Sequence, residues 1–233
     1  MESVHRKPIV VVGSINMDLV TRAPQIPVPG QTLIGIDFAT TPGGKGANQA
    51  VGVARLGYPV HMVGMVGQDV FGQALLDNLN AVGVNTEAVA RVPGPSGVAS
   101  IVVAPGGHNI IVVVSGANHK VTPDYVDKHE ALICSAGMVL CQLELPMATL
   151  SHTFALCAKA GVPVMLDPGP ASPLSEKIWR QAAWFTPNEV ETDFFLERKL
   201  EPETAARELL DRGLKGLVLK RGSEGVYVAA AGG

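Results

Sequence analysis

The stretch Thr41-Pro42-Gly43-Gly44-Lys45-Gly46-Ala47-Asn48-Gln49-Ala50 holds the residue types best suited to bind a polar ligand. Glycines at 43, 44 and 46 precede a run that reads as a helix over 47–56. Glycine lets the backbone take positive φ and lets a ligand approach with no Cβ in the way. The free N–H groups of the helix start then face the ligand, backed by the positive end of the helix dipole. Lys45 adds a cation and Asn48 an amide, which favours a cradle for a polyhydroxy or anionic ligand over a plain connecting turn. Two familiar phosphate loops are excluded. Gly46 follows Lys45, so there is no hydroxyl for a metal as in Gly-x-x-x-x-Gly-Lys-Ser/Thr. The glycines also lack the Gly-x-Gly-x-x-Gly spacing of dinucleotide sites.

Further polar groups cluster at the ends of apolar runs. Asn16 and Asp18 follow the first strand at a spacing of two, so on extended backbone they point the same way. Both suit sugar hydroxyls, and both suit an Asx turn. Glu144 follows a strand over 136–141, at the ligand edge of an open α/β sheet or as a carboxylate at a helix start. Asp167 closes the next strand ahead of Pro168-Gly169-Pro170 and has a turn role as its alternative. Asn188-Glu189-Val190-Glu191 opens a helix either as a capping box or as a holder of phosphate and magnesium, directly or through water. Lys220-Arg221-Gly222-Ser223-Glu224-Gly225 is a hairpin turn or a cationic turn for a nucleotide. The six histidines show no metal-ligand spacing with Cys or acid.

The elements that must position these groups follow from pattern and punctuation. Strands are expected over 9–13, 60–66, 136–141, 163–167 and 214–219, with others at 31–40, 98–104, 109–115 and 226–230. Helices are expected over 47–56, 71–82, 123–134, 146–160, 175–181, 188–196 and 202–212, many stopped by glycine. From 123 onward strand and helix alternate, the order of a doubly wound parallel sheet. Segments of about 23–40 and 97–115 break the alternation and read as a small β-sheet excursion, within a single domain over 1–233. The continuous apolar residues of the 98–115 hairpin imply that part of it is covered.

The chain is 47% hydrophobic and 17% charged, a core-rich globular composition. A net charge of −3 excludes the basic excess of a nucleic-acid surface, and His5-Arg6-Lys7 reads as a solvated tail. Cys134, Cys141 and Cys157 lie in apolar runs without a Cys-x-x-Cys pair, so buried thiols in a reducing cytosol are expected. No apolar run reaches the length of a membrane span, and no signal peptide is visible.

In order and spacing, Gly13-Ser14-Ile15-Asn16-Met17-Asp18, the 42–50 block, Val66-Gly67-Gln68-Asp69-Val70-Phe71-Gly72, Gly116-Ala117-Asn118, Gln142-Leu143-Glu144, Asn188-Glu189-Val190-Glu191 and Gly222-Ser223-Glu224-Gly225 resemble the ribokinase-like carbohydrate kinases, the PfkB family. The resemblance implies an α/β domain with a small β-sheet lid and ATP-dependent phosphorylation of the 5-hydroxyl of D-ribose, with Mg2+ and, in the family, K+. It implies a homodimer joined through the lids, with Val113 read as an outward lid position. By position it assigns Asn16, Asp18, Gly43, Gly44, Lys45, Asn48 and Glu144 to the sugar, covered by Ala99 and Ile111 from the lid. It assigns Asn188, Lys220, Gly222, Ser223 and Gly225 to the nucleotide, and Glu191 to magnesium through water. The family's second signature, a Gly-Ala-Gly-Asp turn that supplies the general base and anion hole, does not occur in the sequence. The expectation is therefore a C-terminally incomplete domain with no base, and with the potassium site also missing, inactive in this form. A kinase for another sugar or nucleoside, or a non-catalytic sugar-binding remnant, are the alternatives.

Overall fold

A computed structural model describes residues 6–232, so His5 and Gly233 lie outside the described residues. The chain opens with β1 (Ile9–Val12), β2 (Asn16–Arg22), β3 (Asp37–Gly43), helix Lys45–Arg55, β4 (Val60–Gly67), helix Val70–Ala81 and β5 (Val89–Val92). Then come β6 (Gly97–Val103), β7 (Asn109–Val114), short helices Pro123–Asp127 and Glu130–Ser135, β8 (Met138–Gln142), helix Met147–Ala160 and β9 (Val164–Asp167). The last part holds helix Glu176–Trp179, β10 (Trp184–Phe185), helices Glu189–Leu196 and Pro202–Asp211, β11 (Gly216–Lys220) and β12 (Val226–Ala230).

An eight-stranded sheet has the order β12-β11-β10-β9-β8-β1-β4-β5, and β12 is its one antiparallel member. β1 pairs with β4 on one side and with β8 on the other, so the chain leaves it in both directions. A doubly wound sheet opens a crevice at such a switch, beyond the carboxyl ends of the strands. Side chains alternate across the pleat. Val10 and Val12 accordingly join one core with Phe154, Leu166 and Leu209, while Val11 joins another with Ala50, Leu75 and Leu79. Glycines end several helices as expected: Gly161 takes a left-handed φ of 70° at the end of Met147–Ala160.

The second sheet has the order β3-β2-β6-β7. The 97–115 hairpin is there as β6–β7. The earlier segment differs. The strand expected over 31–40 lies at Asp37–Gly43, and β2, whose Asn16 and Asp18 left a turn and a ligand-binding strand end both open, is one of the two interior strands. Met17 and Leu19 alternate with Asp18 and Val20, and the buried Met17 packs into the main core. β7 is exposed along its whole length, so the cover expected for the hairpin reaches only β6. The helix expected over 123–134 is two, broken at His129 (φ −115°, ψ 17°). The short strands β5 and β10 carry no pattern of their own. Cys141 and Cys157 are buried thiols, and Cys134 is half-buried. No described helix is long and apolar enough to cross a membrane.

Candidate functional site

The site is built where the lid meets the carboxyl ends of β1 and β8. Gly44 turns the chain with φ 90° into helix Lys45–Arg55, whose first N–H groups point at β1 and β8. Ala47 N–H donates to the Ser14 carbonyl at 2.9 Å, Gly46 N–H to Ser14 Oγ at 3.3 Å, and Lys45 N–H to Glu144 Oε2 at 3.0 Å. Ser14 Oγ also donates to Glu144 Oε2. One oxygen of Glu144 is therefore held by the helix start and by Ser14.

Pairing in the lid puts Asn16 opposite Gly43 and Gly97, and Asp18 opposite Thr41 and Ala99. Ala99 pairs with Val113, and Ile101 with Ile111. With side chains alternating, Asn16, Asp18, Ala99, Val113 and Ile111 share one face. Val113 is thus not an outward position. It lines a cavity of about 280 Å³ together with Asn16, Ser115, Asn118 and Glu144. Asn16 is 2% exposed, and its Oδ1 accepts from Asn118 Nδ2 at 2.7 Å. Asn118 also brackets Ile15, accepting from its N–H at 2.9 Å and donating to its carbonyl at 3.2 Å.

Asp18 lies against Gly43, where a Cβ would fall on its carboxylate. Burial raises its pKa above the ordinary carboxylate value, and the charge of Glu144 raises it further. Two carboxylates thus face one space, an arrangement that wants hydrogen-bond donors such as sugar hydroxyls. Asn48 is exposed on the first helical turn.

Lys45 links this space to a second cluster. Its ammonium lies 3.4 Å from Asp167 Oδ1 and 3.6 Å from Glu191 Oε1. Lys220 Nζ lies 2.8 Å from Asp167 Oδ2 and 4.0 Å from Glu191 Oε2. The capping box of Asn188 and Glu191 is present: Asn188 Oδ1 accepts from Glu191 N–H at 2.7 Å, and Glu191 Oε2 from Asn188 N–H at 2.8 Å. Lys220-to-Gly225 is the hairpin turn between β11 and β12, with Gly222 and Gly225 at φ 52° and 88°. Ser223 is exposed there, while Lys220 reaches back to the carboxylates. Asp69 caps helix Val70–Ala81 by accepting from Gly72 N–H at 2.8 Å and ties in the lid by accepting from Ser96 N–H at 2.8 Å.

Three residues matter more here than their spacing suggests. Asn118 orders Ile15 and Asn16. Asp167 joins two lysines. Gly169 leaves room for Lys45 Nζ and Glu191 Oε1, which a Cβ would meet. A larger hollow of about 780 Å³, between Trp179, Phe194 and Arg212, is lined by none of these groups, and its arginine is already paired with Glu208 at 2.5 Å.

The model of the pfkB family of carbohydrate kinases matches residues 6–233. The chain belongs to that family. It is 43% identical to a ribokinase of Bacillus subtilis over 95% of this chain and 74% of that protein. It is 35% identical to a deoxyribokinase of Salmonella typhimurium over 93% of this chain and 73% of that one. The solved structure of Arabidopsis thaliana ribokinase complexed with ribose and ATP superposes with a TM-score of 0.87 at 32% identity, covering 98% of this chain and 76% of that one. The kinase's mainly parallel sheet with flanking helices is the fold of these relatives.

Proposed function

We propose that this carbohydrate kinase transfers the γ-phosphoryl group of ATP to the 5-hydroxyl of D-ribose. One observation carries the reading: Lys45 joins both halves of the cleft, its backbone N–H on Glu144 and its ammonium between Asp167 and Glu191. Asn16, Asp18, Gly43, Gly44, Asn48 and Glu144 bind the sugar, and Ala99 and Ile111 cover it from the lid. Asn188, Lys220, Gly222, Ser223 and Gly225 bind the nucleotide. Lys45, which the resemblance assigned to the sugar, has its ammonium beside Asp167 and Glu191, and with Lys220 it holds the phosphates, where fixed cations stabilise the charge of the transfer without reorganising. The ribokinase of Arabidopsis thaliana, whose structure holds ribose and ATP, supports the pairing of ligands.

Magnesium fits in a limited way. No group of three or more His, Cys, Asp or Glu among the described residues is placed to hold a metal. Magnesium keeps several waters and takes phosphate oxygens readily. Glu191, a hard-oxygen carboxylate, would hold it through water. When bound, it neutralises phosphate charge. None of the described residues is assigned to potassium. The free thiols suit a reducing compartment, and we place the enzyme in the cytoplasm.

The test is ADP release and ribose calorimetry on the 233-residue polypeptide. None of its aspartates is assigned the general base, a function worth about 10²–10⁴ in rate. Ribose binding with turnover far below about 1 s⁻¹ is expected, against about 1–100 s⁻¹ for kinases. ADP release at a full kinase rate would show that a described residue serves as base. Absence of ribose binding would sink the sugar assignment. The deoxyribokinase relative makes 2-deoxyribose the competing substrate, and a larger response to it would replace ribose.

We further propose a homodimer through the lids. Ile110, Val112 and Val114 of β7 are 46%, 59% and 54% exposed, a run of apolar surface of the kind that marks interfaces. Val112→Lys is expected to give a monomer in sedimentation velocity. An unchanged profile would place the contact elsewhere.

A further inference from the structure

Four charged groups from four parts of the chain form an alternating cluster with no net charge. Lys45 comes from the helix start after β3, Asp167 from the end of β9, Glu191 from helix Glu189–Leu196 and Lys220 from the end of β11. The two signs are held differently. The carboxylate side chains are 12% and 5% exposed, whereas those of Lys45 and Lys220 are 31% and 36% exposed. Glu191 is fixed by its capping box. Asp167 Oδ1 accepts from Gly169 N–H at 3.0 Å, which fixes that carboxylate as well. The anions therefore form a floor, and the lysines lie above them on flexible four-carbon stems.

We infer that Asp167 is a built-in counter-anion: it gathers Lys45 and Lys220 in the nucleotide-free protein and yields them to incoming polyphosphate. The inference rests on the nucleotide assignment above and adds a residue to it. Asp167 is the group both lysines share at closest range, one on each oxygen. A phosphate chain entering from solvent meets the ammonium groups first and exchanges one anion for another. Asp167 cannot follow them, because Gly169 N–H and the end of β9 hold it. The exchange makes phosphate binding weaker than two unpaired lysines would make it, and it keeps the pair converged on one point while the site is empty.

The experiment is calorimetric titration of inorganic tripolyphosphate, and separately of ATP, at low salt. It uses the wild type, Asp167→Asn, Lys220→Met and Asp167→Asn/Lys220→Met. Asparagine keeps an oxygen for Gly169 N–H and removes the charge. Asp167→Asn is expected to bind both polyphosphates about tenfold tighter, a little above the scale of one unit charge at close range in water and well below that near a protein surface, as suits lysines left partly in solvent. Ribose affinity is expected to stay unchanged. The gain is expected to shrink when Lys220→Met is already present. Equal or weaker binding by Asp167→Asn, with the wild type binding ATP, overturns the counter-anion and leaves the kinase assignment standing. A tenfold gain for tripolyphosphate without ATP binding upholds the anion exchange and removes the kinase assignment. Binding of neither polyphosphate to any of the proteins overturns both. Should Asp167→Asn fail to fold, Asp167→Ser carries the same expectation.

Discussion

Asp18→Asn is expected to weaken ribose binding by about 10–100-fold while raising the melting temperature of the sugar-free protein. Asn retains one acceptor oxygen and loses the charge, so at least one charge-assisted bond to a sugar hydroxyl goes, worth about 1.5–3 kcal/mol. The stability effect has the opposite sign. Burial and the neighbouring Glu144 both raise the Asp18 pKa, so the folded protein disfavours its ionised form. A carboxyl whose folded pKa is raised adds stability below its unfolded value of 3.8 and loses that contribution as pH rises through the folded value. The melting-temperature gap between variant and wild type should therefore be absent below about pH 3.8 and open above it. Ribose affinity of the wild type should fall on acidification, because Asp18 takes up its proton early. Equal ribose affinity, or a variant less stable at neutral pH, would refute the role. The conflict is the usual one at a binding site, where a group poised for a ligand is strained without it.

How far the sequence announces this molecule depends on which force sets each feature. The main sheet is legible because its strands are continuous β-branched runs, such as Ile9–Val12, and its helices end at glycines such as Gly161. Periodicity and backbone sterics are local properties. β2 is different. Asn16 and Asp18 suit an Asx turn as well as extended backbone that binds a ligand, so their spacing alone leaves the choice open. They lie in a strand because Met17 packs into the core and because β3 and β6 pair with both edges, which residues 16–22 alone do not specify. The same holds for the two-residue strand Trp184–Phe185, made a strand only by its neighbours β9 and β11.

The candidate site shows the same division. The Gly43-Gly44-Lys45-Gly46 cradle and the Asn188–Glu191 capping box are written in short-range spacing. The direction of the Lys45 side chain is not. It turns to Asp167 and Glu191, 122 and 146 residues away by number, because Gly169 leaves space for its ammonium. Val113 read as an outward residue because a run of valines has no visible phase. Its pairing with Ala99 supplies the phase.

Gly46→Ala is expected to cost about 4–6 kcal/mol of stability and, with it, sugar binding. A Cβ on Gly46 would meet Ser14 N at 2.6 Å, the carbonyl carbon of Gly13 at 2.7 Å and Gly13 Cα at 2.8 Å. All three are backbone atoms at the end of β1 and have no rotamer to escape into. Helix Lys45–Arg55 must lift instead. That breaks the bonds from Gly46 N–H and Ala47 N–H to Ser14 and from Lys45 N–H to Glu144. Overpacking costs about 1–3 kcal/mol and each lost bond about 1 kcal/mol, against a total stability of about 5–15 kcal/mol. At about 2–4 °C per kcal/mol for a chain of this size, the melting temperature should fall by roughly 10 °C. Gly52 lies on the same helix with nothing within 4 Å of its would-be Cβ, so Gly52→Ala isolates helix propensity from close approach. It should gain up to about 1 kcal/mol. If the two variants melted alike, the contact between helix and β1 would not be what fixes the cradle. If Gly46→Ala alone falls, and takes ribose affinity with it, then the glycine is required for the helix start to reach Glu144, and stability and binding at this corner have one cause.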